Sequence, residues 1–132
     1  MQRYCSILTL TFAISLTSYG QSTNITTLFV SDFKKAEDFY KVLAYRNAVE
    51  LYLHYEEKHQ GDPLTMERIA DCYSKLNNYS EAATWYARLV VNPNSKPIIH
   101  FNYAQTLCMI GDYDGALKAY RHYQQLEKND GR

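Results

Sequence analysis

Apolar side chains recur along this chain at helical spacing. Tyr45, Ala48, Val49, Tyr52 and Tyr55 line up one above another, following the i, i+3, i+4, i+7 spacing of a single helical face. Trp85, Tyr86 and Leu89 continue the pattern, and Tyr113, Ala116, Leu117, Tyr120 and Tyr123 repeat it. The punctuation agrees. Asp62-Pro63 supplies a cap followed by a proline at the first helical position, where its missing N–H costs nothing. Ser95-Lys96-Pro97 promises the same start later in the chain. Asn77-Asn78 and Gly111-Asp112 supply residues that tolerate a left-handed turn between helices. The pattern predicts six helices, near residues 31–43, 45–59, 63–76, 80–92, 97–110 and 113–127.

The helices are copies of one unit. A shift of 34 residues brings Ala36, Ala70 and Ala104 into one column, and Ala48, Ala82 and Ala116 into another. Tyr45, Tyr79 and Tyr113 form a third, and Tyr52, Tyr86 and Tyr120 a fourth. Phe39, Tyr73 and Leu107 keep one large apolar class. A small residue on each of two paired helices lets their backbones approach, and the large columns fill the space beside that contact. The expected fold is an all-α helical-repeat solenoid of three 34-residue helix–turn–helix units, 29–62, 63–96 and 97–130, behind a short leader at 21–28. The turn of the first unit reads Leu43-Ala44, a poor match to the turns of the other two.

The stretch Met66-x2-Ile69-Ala70-x2-Tyr73, with Ala82-x3-Tyr86 and Pro93 behind it, resembles the tetratricopeptide repeat. The third unit matches through His100, Tyr103, Ala104, Leu107, Gly111, Tyr113, Ala116 and Tyr120, and the first through Ala36, Phe39, Ala48 and Tyr52. More narrowly, DFYKVLAYRNAVELY, RIADCYSKLNNYSEAATWYARLV and NYAQTLCMIGDYDGALKAY resemble the N-terminal repeat region of exported OmpA-like proteins of Gram-negative envelopes, some of them linked to type IX secretion. That resemblance implies an exported adaptor or scaffold for other envelope proteins. Its alternative is a structural segment of a larger outer-membrane-associated protein. The β-propeller and peptidoglycan-binding domains of those proteins have no counterpart here, so peptidoglycan binding transfers to no residue.

The amino terminus carries an address. Arg3 precedes an uncharged, mostly apolar run from Tyr4 to Leu16, and Ser18-Tyr19-Gly20 then places small residues before Gln21. This order reads as a secretory signal peptide over residues 1–20. The expected location is therefore exported, periplasmic or outer-membrane-associated, with no membrane span left after cleavage. Cys72 and Cys108 remain beyond that cut. An oxidising space allows a disulfide, but two small buried or half-buried side chains on helices are the simpler reading. Fourteen Lys and Arg balance fourteen Asp and Glu, which argues against a nucleic-acid partner.

The family resemblance implies a binding groove lined by the first helix of each unit. Its positions are Phe33, Glu37, Tyr40 and Lys41, then Glu67, Asp71, Ser74 and Lys75, then Phe101, Gln105, Cys108 and Met109. The surface is aromatic at both ends and acidic in the middle. It suits an extended or helical peptide with apolar anchors and a basic residue. Family members that clamp a carboxylate use basic and amide side chains where this chain has Phe33, Glu37, Arg68, Ile98 and Asn102. Two acids nearby repel such a ligand. After Glu127 only Lys128 to Arg132 remain, too short a stretch for a capping helix, so Tyr120, Tyr123 and Leu126 form a second candidate docking end.

Catalytic motifs are missing. His54 and His59 stand five apart, off the metalloprotease spacing. His100 occupies a core position of its repeat, and Asp112 with Asp114 reads as a helix start rather than an acid–base pair. No cofactor or metal is expected, and the chain reads as a protein-binding module rather than an enzyme. Asn24-Ile25-Thr26 and Asn78-Tyr79-Ser80 match the glycosylation pattern and read as leader and turn chemistry.

Overall fold

A computed structural model describes residues 25–129, with side-chain environments from 32 to 128. The signal segment at 1–20, Cys5 and the acceptor Asn24 lie outside the described residues. Six helices follow in order: α1 (Ile25–Lys41), α2 (Tyr45–Glu56), α3 (Pro63–Lys75), α4 (Tyr79–Val90), α5 (Pro97–Met109) and α6 (Tyr113–Asn129). No strand occurs among the described residues. Each helix packs on the next, so the core is a chain of helix–helix joints rather than one central mass.

Most helix boundaries fall within two residues of the sequence reading, and two differ by three or more. Helix α1 begins at Ile25 and takes in part of the expected leader. Ile25, Leu28 and Phe29 stand at i, i+3 and i+4 with no Gly or Pro among them, so the helical pattern simply extends backwards. Helix α2 stops at Glu56, before the expected end at 59. Glu56 is buried there and its Oε1 accepts the backbone N–H of Gly61 at 2.8 Å. Gly61 itself sits at φ +83°, in the left-handed region that reverses the chain toward α3.

The alanine columns are the joints. Ala36, Ala48, Ala70, Ala82 and Ala104 are fully buried, and Ala116 nearly so. Tyr52 and Tyr86 fill the space beside them, with Ile69 and Cys72 behind. Two of the large columns weaken at the ends. Leu107 is buried, Tyr73 is half-buried, and Phe39 is 38% exposed. Tyr45 is half-buried against Tyr40, whereas Tyr113 is 71% exposed. Among the described residues nothing packs beyond α6, so its outward face, Tyr113 and Leu117 included, stays open.

All three intra-unit turns share one geometry. Leu43, Asn77 and Gly111 have φ of +62°, +59° and +83°. The next amide in each case reaches back to the helix: Ala44 N to Phe39 O at 2.9 Å, Asn78 N to Tyr73 O at 2.9 Å, and Asp112 N to Leu107 O at 3.0 Å. This is the Schellman ending, in which a left-handed residue satisfies the last carbonyls of a helix. The first unit builds it with a leucine. Two of the three second-unit and third-unit caps are as read: Asp62 accepts the Thr65 N–H at 2.9 Å, and Asp112 accepts the Gly115 N–H at 2.9 Å. The start at Ser95-Lys96-Pro97 differs. Lys96 holds the cap position without a side-chain bond, and its ammonium instead reaches Glu67 Oε2 at 3.0 Å.

Candidate functional site

The face made by α1, α3 and α5 has two joints of the same construction and opposite character. At the first, between α1 and α3, Arg68 Nε donates to Glu37 Oε1 at 2.7 Å, and the Tyr52 hydroxyl donates to the same oxygen. The Arg68 guanidinium lies 4.5 Å over the Tyr40 ring, a cation–π contact. The Tyr40 hydroxyl donates in turn to Asp71 Oδ2. Burial alone raises the Glu37 pKa, but the Tyr52 hydroxyl and Arg68 outweigh it and hold the carboxyl below its ordinary value of 4.5. Burial and the bond to Asp71 push the Tyr40 hydroxyl far up. This joint is closed by its own side chains.

The second joint, between α3 and α5, is open. One repeat further on, the pair Glu37–Arg68 becomes Asp71 and Asn102, and the pair Tyr40–Asp71 becomes Ser74 and Gln105. An amide brings no charge to Asp71, and a serine is too short to bridge to Gln105. What remains is a cleft of about 470 Å³, whose α3 wall carries Asp71, Ser74 and Lys75 and whose α5 wall carries Gln105, Cys108 and Met109. Asn102, Thr106 and Tyr86 form the floor beside them. Burial and the Asp71 charge push the Tyr86 hydroxyl up, against a hydrogen bond with Asn102.

Six of the twelve sequence-predicted groove residues therefore meet at one cleft. The others stand elsewhere. Phe33 packs on Tyr52 and Tyr55, with ring centroids 5.6 and 5.2 Å away, and joins the first core cluster. Phe101 does the same on Tyr120 and Tyr123 at 5.8 and 5.3 Å. Glu37 and Tyr40 belong to the closed joint, Lys41 sits at the surface 3.7 Å from Asp38, and Glu67 pairs with Lys96 beside a separate cleft near Asn92. The proposed docking end is covered in part: Tyr120, Tyr123 and Leu126 are each half-buried. Among the described residues, the large apolar side chains left open in the third unit are Ile98, Met109, Ile110, Tyr113 and Leu117.

Thr106 and Tyr86 were not among the groove residues read from sequence, and Asn102 stood only among the carboxylate-clamp positions. Their signal lay in the 34-residue register, since Asn102 stands where the preceding unit has Arg68. Arg68, the one cation among the carboxylate-clamp positions, is committed to Glu37. His100 is buried and meets His122 ring to ring at 4.6 Å. Burial, with His122 beside it, lowers the His100 pKa. Cys72 is buried and its thiol is pushed up to about 12 by that burial, while Cys108 is half-buried at the cleft; both are free thiols. Among the described residues no group of three His, Cys, Asp or Glu gathers as a metal site, and no helix is long and apolar enough to cross a membrane.

Solved structures share this architecture. The MamA D159K mutant 2 superposes with a TM-score of 0.70 at 19% identity, covering 76% of this chain and 55% of its own. PcrH, solved in complex with the chaperone binding region of PopB, gives 0.67 at 18% identity over 76% of this chain and 81% of that one. The second tetratricopeptide region of Spaghetti (RPAP3), bound to the HSP90 peptide SRMEEVD, gives 0.67 at 18% identity over 74% of this chain and 91% of that one. The chain thus has the tetratricopeptide-repeat solenoid fold. By sequence it is similar to the E3 ubiquitin-protein ligase TTC3 of Mus musculus, 32% identical over 99 residues that make up 75% of this chain. The same protein of Rattus norvegicus is 31% identical over 99 residues. The chain spans 5% of the length of each of these relatives. No protein-family model matches it.

Proposed function

We propose that this chain is a protein-interaction module that holds a peptide segment of another protein in the cleft between α3 and α5. The observation that carries the reading is the contrast between the two joints: the first is sealed by Glu37, Arg68, Tyr40 and Asp71, and the second leaves a cleft of about 470 Å³ open. That volume lies in the range of ordinary ligand sites. Solenoids of this fold with a PopB segment or an HSP90 peptide bound support the reading. The signal-like order of residues 1–20 and the OmpA-like strings support an exported adaptor for cell-envelope proteins, periplasmic or outer-membrane-associated. No reaction is proposed for it.

The test is a cross-linked pull-down from a Gram-negative envelope extract with the full chain as bait. The control carries Lys75→Ala, Gln105→Ala and Met109→Ala, three exposed side chains whose loss spares the core. A partner held by the wild type and lost by the control is expected. N-terminal sequencing of the bait recovered from the envelope is expected to begin at Gln21. A second reading, a structural segment with no groove ligand, draws on the sealed first joint. Capture of nothing by either bait would favour it and refute the adaptor.

A further inference from the structure

We propose that the α3–α5 cleft selects an extended peptide carrying a basic, an apolar and an acidic residue in succession, the basic side chain on Asp71 and the acidic one on Lys75. The proposal rests on the reading of the cleft as a peptide site and names the chemistry it takes.

Three acids line the predicted groove, and two of them are neutralised within the chain. Glu37 is paired with Arg68 and Glu67 with Lys96. Asp71 instead meets the Tyr40 hydroxyl, a neutral donor, and forms no ion pair among the described residues. Its charge is felt at the Tyr86 hydroxyl on the cleft floor. Lys75 lines the same cleft one helical turn further on, is exposed, and has no hydrogen bond or ion pair among the described residues. The cleft wall is therefore dipolar, with a negative site at Asp71 and a positive site at Lys75. The two side chains do not pair with each other, although such neighbours stand only about 5–6 Å apart at Cβ.

An extended chain matches that spacing. Residues i and i+2 of a strand point to the same side about 6.6 Å apart, and residue i+1 points to the opposite side. With the outer two side chains facing α3, the middle one faces α5. There Met109 is 59% exposed and Cys108 is half-buried, a soft apolar wall. Gln105 is exposed on the same wall and offers both a donor and an acceptor to the peptide backbone. A peptide with two like charges sets one of them against its own sign.

The test is an NMR titration of the full chain with four short peptides that differ only in a central triplet: Lys-Leu-Glu, Gln-Leu-Gln, Lys-Leu-Lys and Glu-Leu-Glu. The Lys-Leu-Glu peptide is expected to bind about tenfold tighter than Gln-Leu-Gln, an advantage that shrinks with added salt. The amide shifts are expected on α3 and α5 around Asp71, Lys75 and Gln105. Lys75→Glu, a change at an exposed side chain, is expected to move the preference to Lys-Leu-Lys. Equal binding of all four at the cleft would overturn the charge reading and leave the peptide site standing. Shifts confined to α1 or α6, or no binding of any peptide, would overturn the proposal, and the pull-down then decides the adaptor reading by itself.

Discussion

Leu43 carries a backbone cost that its neighbours in the repeat register avoid. It takes φ +62° at the turn where the later units place Asn77 and Gly111. For an L-residue with a bulky side chain this conformation costs roughly 1–2 kcal/mol. Its side chain offsets little of that, because Leu43 is 68% exposed. Replacing it by glycine removes the conformational cost but adds freedom to the unfolded chain, a loss of about 0.5–1 kcal/mol. The expected net gain for Leu43→Gly is therefore about 0.5–1 kcal/mol, or a rise in Tm of about 2–8 °C for a domain of this size. The reciprocal change isolates the same quantity. A Cβ added at Gly111 meets nothing within 4 Å, so Gly111→Leu has open space at its Cβ and carries the left-handed penalty. It is expected to lower stability by a similar amount. Thermal and urea unfolding of both variants provide the measurement. A fall in Tm for Leu43→Gly, or no fall for Gly111→Leu, would refute the reasoning and show that side-chain contacts govern these turns.

Two further outcomes follow from the joints. The folded-state pKa of Glu37 lies below its ordinary value of 4.5, so its contribution is fully present above that pH and is lost as pH falls through the lower folded value. Glu37→Gln is expected to cost about 1–3 kcal/mol at neutral pH and to flatten the decline in urea midpoint below about pH 4.5, the model-compound region for carboxylates; an unchanged acid limb would rule out this joint as a source of acid sensitivity. Asn102→Arg places a cation where the preceding unit has Arg68. It is expected to pair with Asp71, to bring Lys-Leu-Glu binding down to the Gln-Leu-Gln level in the same titration, and to change stability by no more than about 1 kcal/mol; undiminished peptide binding would show that Asp71 is not the basic subsite.

What the sequence disclosed and what it hid have a common cause. A column of the repeat states what kind of residue a position requires, and that is enough where the requirement is the same in every unit. The alanines at 36, 70 and 104 and at 48, 82 and 116 must be small because two backbones meet there, and they are buried in all three units. A groove position is different, because its state depends on a residue in the next unit. Glu37 and Asp71 are equivalent in register, yet one is sealed by Arg68 and the other faces Asn102. Phe33 and Phe101 look like open anchors in their column, but each rests on a second tyrosine from its own unit, Tyr55 or Tyr123, where the middle unit has Leu89. Glu67 looks like a groove acid and is held by Lys96, twenty-nine residues away. Comparing positions 34 apart cannot reveal these contacts, since Glu37 meets Arg68 at a separation of 31. The more informative comparison is between such pairs. Glu–Arg followed by Asp–Asn, and Tyr–Asp followed by Ser–Gln, describe one joint that closes on itself and one whose acid has no ion pair among the described residues and whose wall is open. The same repeat thus builds a rigid joint and a binding joint side by side, with substitutions in only a few columns separating them.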